Sequence, residues 1–488
     1  MVILFLITVS SAFASTDARF IERDSPLYAE MDALYALSCL ASPNTNRPWT
    51  ESQARLYLSK IDYDSLSDAG KELYKSIEIE IEKGLRWEFD DGFSLSGGIT
   101  FSNEIYAHTD SEFDREEEWV RSWTDREPLI RLWGEVSSGS MFYTAADILY
   151  RYGRAAMEDN YGLLKDIMTT DGYIGSYHLS DPEKTPYIIS SKYFSEKLAT
   201  NFFTNTQNFS FIWPRRAVFS FGGERWNVSF SRDRMKLGKS HIGSLLVDDH
   251  SDYTDSIRTT FFNKYFTYDW ILLPLNTLTS HSEDPVEESR VYMIHTLDFR
   301  ILDKVSLKIS ENVMWKYSNF DLGYLNPSFF YHNLNNRSMF NALAYIEVNA
   351  SLFKGFTLYG QYAMDQARAP HEGDSQSDAW GMSVGGEYTF SLGKSVFTAY
   401  SEYLLTSPLL YRRDGVDFIK VSRYYHQGSD NDTYGHIPFF EYIGYRYGGD
   451  TSTLKTGVTY IYPSMVEAEF SVQLMEHGGM NIYKSHNK

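Results

Sequence analysis

The chain has 488 residues and a net charge of −20, and aromatic residues make up 16% of it. The negative charge argues against a protein that binds nucleic acid, which needs a basic surface. The mean hydropathy of −0.37 argues against a bundle of membrane-spanning helices, but it fits a β-barrel whose inner residues are polar. The 37 Tyr exceed the needs of a soluble core, and they indicate either the aromatic girdles of a membrane barrel or a secreted β protein that binds carbohydrate.

Residues 1–14 form an apolar run that ends in Ala12-Phe13-Ala14. A short apolar segment before an A-x-A sequence is typical of a secretory signal peptide, so we expect cleavage before Ser15 and export. Farther along, no apolar run reaches the ~18 residues that a membrane-spanning helix needs. Cys39 is the only cysteine, which excludes an internal disulfide, and we expect it at a core helix position.

Residues 24–83 have the periodicity of three short amphipathic helices. Their apolar positions are Leu27, Met31, Leu34 and Leu37, then Leu56, then Leu66, Leu73, Ile77 and Ile81. Thr50 and Gln53 match a capping box before the second helix. Because short helices depend on burial by neighbours, we expect a small helical domain over residues 15–84 that packs against one mouth of a barrel.

From Trp87 onward the hydrophobic period changes to two. In the run 340–352, Ile346 and Val348 share an apolar face, while Asn349 lies on the opposite, polar face. We therefore expect Ile346→Arg to be costly in lipid and Asn349→Arg to be milder. The other long runs of this kind are 225–236, 257–275, 305–316 and 356–366. They exceed the ~5–6 residues typical of soluble sheets and approach the 9–11 residues of a tilted membrane strand.

Short turns alternate with longer polar connectors, as in barrels that have a periplasmic and an outer side. The predicted turns are Asp303-Lys304, Lys354-Gly355 and Gly393-Lys394, and the candidate outer loops or lumen plugs are 153–185, 277–289, 317–338, 367–378 and 425–436. At the C-terminal end, either residues 464–475 form the last strand and close the barrel, or the chain lacks a final hairpin. The sequence thus predicts a mainly β chain, in which residues 85–488 form a large antiparallel transmembrane β-barrel of about 16–18 strands.

No catalytic constellation stands out. The patterns G-x-S-x-G, H-E-x-x-H and C-x-x-C are absent, as is a P-loop, and the histidines lack the spacing of metal ligands. We therefore predict no enzymatic activity, no metal and no cofactor.

Two sets of residues are candidates for contact with a glycan. The first set is basic and consists of Arg232, Arg234, Lys239 and Arg258, and the second consists of Tyr324, Asn326, Tyr331, His332 and Asn333. The basic groups could bind an acidic polysaccharide or a lipid phosphate, or they could pair with acidic neighbours inside the wall. The aromatic and amide groups suit sugar binding, and they equally suit an aromatic girdle or a rigid plug loop.

Four stretches, in this order along the chain, carry a resemblance. They are SPLYAEMDALYALSCLASPNTNRPWTESQARLYLSKI at 25–61, SFSRDRMKLGKSHIGSLLVDD at 229–249, the segment 295–336 that contains YLNPSFFYHNLNN, and EYIGYRYGGDTSTLKTGVTYIYP at 441–463. Together they resemble the Wzi-type capsule-assembly outer-membrane family. The resemblance implies a non-enzymatic, monomeric protein of the bacterial outer membrane that anchors or organises surface polysaccharide, with that polysaccharide and outer-membrane lipid as partners. It also implies that the helical domain over residues 15–84 lies in the periplasm.

Two other functions stay open on the residues alone. A porin or specific transport channel has the same fold-level features, and an open pore would favour it. A soluble, secreted β protein that acts on glycans would be favoured by solubility without detergent.

Overall fold

The structure, a computed structural model, describes most of the chain beyond the predicted signal peptide. The described residues are 16–82, 86–89, 92–102, 105–106, 129–152, 199–200, 207–210, 215–251, 253–278, 287–316, 326, 340–366, 378–412, 416–427 and 434–480. Residues 1–14, the predicted signal peptide, lie outside this part of the chain.

Three α-helices form in the segment where the sequence predicts them. They are α1 (Leu27–Leu37), α2 (Glu51–Leu58) and α3 (Asp68–Ile81). The predicted capping box opens α2, because the backbone N–H of Gln53 donates to Thr50 Oγ1 at 3.3 Å and that of Thr50 donates to Gln53 Oε1 at 2.9 Å. The third helix begins after Ser67, so Leu66 lies before it. No helix in the described part of the chain is both long and apolar enough to span a membrane.

Strands make up most of the remaining described chain. They are β1 (Asn46–Arg47), β2 (Arg86–Phe89), β3 (Phe93–Phe101), β4 (Ile105–Tyr106), β5 (Ile130–Ser138), β6 (Phe142–Tyr152), β7 (Ala199–Thr200), β8 (Gln207–Ser210), β9 (Ala217–Gly223), β10 (Trp226–Asp233), β11 (Lys236–Leu237), β12 (Thr254–Phe262), β13 (Phe266–Leu278), β14 (Glu287–Ile301), β15 (Val305–Lys316), β16 (Phe340–Phe353), β17 (Phe356–Gln366), β18 (Ala379–Leu392), β19 (Ser395–Thr406), β20 (Ile419–Gln427), β21 (Tyr434–Tyr442), β22 (Thr451–Tyr462) and β23 (Val466–His477). The last of these confirms the predicted strand over 464–475 to within two residues at each end.

The main sheet has 16 antiparallel strands and closes into a barrel. Its ladders join β2 to β3, β3 to β5, β5 to β6, β6 to β9 and β9 to β10. They continue from β10 to β12, then in chain order to β19, and finally to β22 and β23. The predicted fold class, a large antiparallel barrel of about 16–18 strands with a few N-terminal helices, is confirmed.

The two faces of the barrel wall follow the predicted alternation. On β16, Ile346 and Val348 are 40% and 41% exposed on the outside, whereas Glu347 and Asn349 are 1% and 0% exposed on the inside. The register pairs Ile346 with Ile309 of β15, so apolar side chains meet apolar side chains on the outer face. The outside of the wall therefore suits lipid, and the inside of β16 is packed rather than wet.

The prediction of one strand over 257–275 is wrong. The chain forms a hairpin there, and β12 and β13 are joined by a tight turn at 263–265. Asn263 Oδ1 accepts hydrogen bonds from the backbone N–H of Tyr265 at 2.8 Å and of Phe266 at 3.0 Å, which fixes the turn. Apolar and aromatic residues continue through both strands, so Asn263 is the main residue in the sequence that indicates a turn here.

The three helices pack against the end of the barrel where the short turns lie. The backbone N–H of Ala41 donates to Asp303 O at 2.9 Å, and that of Gly355 donates to Ala36 O at 2.8 Å. At the β22–β23 turn, Ser464 Oγ lies 2.8 Å from Ser76 Oγ of α3. The predicted turns at 303–304, 354–355 and 393–394 are all present. The helices therefore cover one mouth of the barrel, as the sequence predicts.

The predicted core helix position of Cys39 is wrong. Cys39 follows the end of α1 with a φ of 57°, and it is only partly buried. Lys304 Nζ lies 2.7 Å from its Sγ. Burial raises the pKa of the thiol, but the hydrogen bonds from Lys304 and Ser351 and the charges of Lys304 and Lys354 together outweigh burial and lower the pKa below the usual value.

Replacing Ile346 with Arg is expected to cost about 2–4 kcal/mol, because the charge would face lipid near the middle of the membrane. Asn349→Arg, which the sequence predicts to be milder, would also be costly because Asn349 is fully buried. The matched control is Gln473→Arg, an exposed inner-face position on β23, which should stay within about 0.5 kcal/mol. Urea unfolding from lipid vesicles measures the stability lost in Ile346→Arg and in Gln473→Arg. Equal losses in these two variants would contradict the assignment of the outer and inner faces.

Candidate functional site

The connector between β10 and β12 folds into the lumen, and residues 234–251 are called the plug here. Within the plug, β11 pairs with β1, which places Leu237 opposite Asn46. Leu237, Leu245 and Leu246 are at most 1% exposed. The sequence shows this segment only as a Gly-, Ser- and Asp-rich connector, and the plug segments that it predicts elsewhere lie largely outside the described residues.

The plug is tied to carboxylates that point inward from the barrel wall. Lys239 Nζ contacts Glu387 of β18, and the backbone N–H of Lys239 donates to Glu347 of β16 at 3.1 Å. The backbone N–H of His241 donates to Glu402 of β19 at 2.7 Å, and its ring stacks on Tyr400. The wall supplies the negative charge here, and the plug supplies the donors that satisfy it.

The segment between α1 and α2 reaches into the same lumen. Asn44 Nδ2 donates to Asp298 at 2.9 Å, and Asn46 Nδ2 donates to Asp269 at 2.7 Å. Thr45 Oγ1 donates to Glu347 at 2.7 Å, so this carboxylate is shared with the plug. Since buried charges need partners, these contacts hold the N-terminal segment and the plug as one filling of the described lumen.

An aromatic layer lies above the plug, toward the end with the long connectors. Tyr411 OH donates to Leu245 O at 2.7 Å, and its ring packs on Phe418 and Tyr442. Tyr411, Phe418 and Tyr445 are at most 1% exposed. This layer covers the plug on the side of the outer end.

An ionic cluster joins the N-terminal segment to the other side of the wall. Glu22 binds Arg131 through two hydrogen bonds of 2.6 and 2.7 Å, and it binds Arg216 at 3.2 Å. Burial raises the pKa of Glu22, but Arg216 and Arg131 outweigh burial and lower it to about 2. Glu22 therefore stabilises the fold above its ordinary pKa, and that contribution is lost only as the pH falls toward 2. Sequence reasoning missed this cluster because its members are far apart along the chain.

The four basic candidates do not form one site. Arg232 faces outward and pairs with Asp255 of the neighbouring strand at 2.7 Å, while Arg234 donates to Asp249 O and approaches Asp24 at 3.4 Å. Lys239 and Arg258 lie inside the lumen, 8% and 2% exposed. Arg258 Nε donates to Asp269 Oδ1 at 2.9 Å, and its Nη1 donates to Pro48 O at 2.8 Å. Each of the four therefore has a partner within the chain.

Most of the second candidate set lies outside the described residues. Tyr324, Tyr331, His332 and Asn333 belong to this undescribed part, and Asn326 is exposed. Within the described ranges, no group of three or more His, Cys, Asp or Glu residues is arranged to hold a metal ion.

Comparison with known proteins supports the fold. Wzi, an outer membrane protein involved in group 1 capsule assembly in Escherichia coli and a carbohydrate-binding β-barrel, aligns over 94% of this chain and 86% of its own length. The TM-score is 0.56, and 12% of the aligned residues are identical. This chain has the fold of the Wzi barrel. An identity this low shows the shared fold and nothing of the ligand.

Two porins of solved structure align with lower scores. The anion-selective porin from Comamonas acidovorans aligns with a TM-score of 0.32 at 10% identity, over 80% of this chain and 87% of its own. OccK3 (OpdO) of Pseudomonas aeruginosa aligns with a TM-score of 0.29 at 8% identity, over 71% of this chain and 78% of its own. Both scores are too low to support an argument. No family model matches the sequence, and no curated protein sequence does.

Proposed function

We propose that this protein is a non-enzymatic outer-membrane β-barrel that anchors or organises surface polysaccharide at the cell exterior. The observation that carries the proposal is the plug, which with the N-terminal segment occupies the lumen beside β13 to β19 and hydrogen-bonds to the inward carboxylates there. A diffusion channel needs a continuous aqueous path, and this filling argues against one. The barrel whose fold the chain shares is a carbohydrate-binding protein of capsule assembly, which favours a surface glycan as the ligand.

The proposed orientation follows from the two ends of the barrel. Bacterial outer-membrane barrels have short turns on the periplasmic side and longer loops outside. On that rule the helices lie in the periplasm as a domain spanning residues 15–84, after removal of residues 1–14 as a signal peptide. The long connectors then lie at the cell surface, on a protein that acts as a monomer.

The proposed glycan contacts lie at the outer end. Arg234 is 17% exposed in its side chain and lies near Asp24, which is 60% exposed. Arg232 lies on the outer wall beyond Phe230, where a guanidinium suits the phosphates of outer-membrane lipid. Asn326 and its neighbours Tyr324, Tyr331, His332 and Asn333 complete the proposed surface. Lys239 and Arg258 are enclosed, so we assign them the role of holding the plug.

The purified protein is expected to bind polysaccharide shed by the cells that carry it, and the binding should weaken with salt. Exposed charge contacts are screened over about 8–10 Å at ordinary ionic strength. The double variant Arg232→Gln/Arg234→Gln should therefore bind more weakly. Lys354→Gln/Lys394→Gln removes the same charge at the short-turn end and is the matched control. Equal binding by the two double variants would exclude the basic residues from the glycan site.

A further inference from the structure

One sector of the lumen is not filled by the plug. Along β23, the inward-facing Glu467, Glu469, Ser471 and Gln473 are all exposed. On β13, β16 and β18 the corresponding inward residues Asp269, Glu347 and Glu387 are 0%, 1% and 5% exposed. On β3, the inward-facing Thr100 is exposed as well, and the inward-facing Gly98 is partly exposed. The inner wall near β23 and β3 is therefore accessible to water.

Trp133 of β5 faces this sector. It lies directly opposite Gly98 of β3, on the inner face that it shares with Glu135. A Cβ added at Gly98 would lie 2.7 Å from Cζ2 and 2.9 Å from Cε2 of the indole, so glycine is needed for the ring to lie there. Trp133 is nevertheless only partly buried, whereas the core residues Trp49 and Trp315 are fully buried. The indole is thus fixed in place against the wall with part of its surface in water.

Polar groups surround the ring. Thr100 is exposed on the same inner face of β3 and lies opposite Arg131. Arg131 Nε donates to Asp147 at 3.0 Å, and Asp147 lies opposite Trp133 in the ladder with β6. Glu22, which binds Arg131, keeps 35% of its side chain exposed. A fixed aromatic surface is therefore flanked by a hydroxyl, a guanidinium and a carboxylate.

We propose that Trp133, Thr100, Arg131 and Glu22 form a saccharide subsite inside the barrel. This inference rests on the proposed function and gives it a location that the sequence does not suggest. The apolar face of a pyranose ring stacks on the exposed indole, and the sugar hydroxyls hydrogen-bond to Thr100 and Glu22. Since Arg131 already binds two carboxylates, the subsite favours a neutral hexose over an acidic sugar.

The test uses the full-length protein in detergent micelles and short oligosaccharides cut from the polysaccharide that the cells shed. Trp133→Ala is expected to weaken binding about tenfold, because the sugar loses an apolar surface to cover. Trp133→Phe keeps a ring and should keep most of the affinity. Trp87→Ala removes an indole that is 54% exposed on the outer face of β2 and should leave the affinity unchanged.

A second measurement does not depend on the folding of a variant. In the wild-type protein labelled with 5-fluorotryptophan, the fluorine resonance that Trp133→Phe removes should shift when the oligosaccharide is added. If the wild type binds the oligosaccharide and this resonance stays in place, the subsite is wrong, and the proposed function stands. If the wild type binds no oligosaccharide, the proposed function itself is contradicted.

Discussion

Replacing Lys239 with Met is expected to lower the free energy of unfolding by about 3–5 kcal/mol, because it leaves a buried carboxylate without its counter-charge. The ammonium group of Lys239 contacts Glu387 and lies 2.7 Å from Ser42 Oγ, so one side chain joins the plug, the wall and the N-terminal segment. Lys239 and Glu387 have side chains that are only 8% and 6% exposed. Urea unfolding of the refolded barrel measures the loss.

Two variants serve as controls for Lys239→Met. The double variant Lys239→Met/Glu387→Gln removes both charges and should recover much of the stability, since the penalty comes from the unpaired carboxylate. Lys394→Met breaks an exposed pair with Glu72, whose side chains are 57% and 38% exposed, and should cost about 0–1 kcal/mol. A Lys239→Met variant no less stable than Lys394→Met would show that the plug is not held by this contact.

Removing the filling of the lumen is expected to convert the closed barrel into an open pore. The variant lacks the N-terminal segment 16–82 and has a short Gly-Ser linker in place of plug residues 238–247. Either deletion alone leaves the other element across the lumen, so the single deletions should conduct little in a planar bilayer. The double deletion should give stepwise conductance of the size that open barrels show.

The open pore should prefer cations. The emptied wall would present Glu347, Glu387, Glu402, Asp269 and Asp298, each of which now accepts a hydrogen bond from the filling, and rings of carboxylates select cations. The preference should fall as the pH is lowered toward the range in which carboxylates take up protons. A double deletion that stays closed, or that prefers anions, would contradict the described arrangement of the plug and the wall.

The barrel wall could be predicted from the sequence because its outer face meets lipid and its inner face meets polar groups. This difference imposes an alternation of apolar and polar residues along each strand. On β16 every second side chain meets lipid, so Ile346 and Val348 reveal their direction without knowledge of distant residues. The bounds of β15 and β17 follow the sequence prediction for the same reason. The β12–β13 hairpin was harder to predict, because both strands are apolar and the turn depends on Asn263.

The plug and its contacts could not be predicted in this way. Lys239 and Glu387 are 148 residues apart, and no local period links them. The run Leu245-Leu246-Val247 was the available signal, since three apolar residues in a polar connector indicate burial. Trp133 was missed because its significance depends on Gly98, the residue opposite it in the next strand.

The most direct test of the proposed function is the amount of polysaccharide retained by cells with and without this protein. The two strains should make equal total polysaccharide, and the strain without the protein should shed more of it into the medium. Expression of the wild-type chain should restore retention. The double deletion of residues 16–82 and 238–247, if it assembles in the outer membrane, shows whether an open barrel can retain polysaccharide in its place. An unchanged division between cell surface and medium in the strain that lacks the protein would contradict the proposal that this barrel anchors surface polysaccharide.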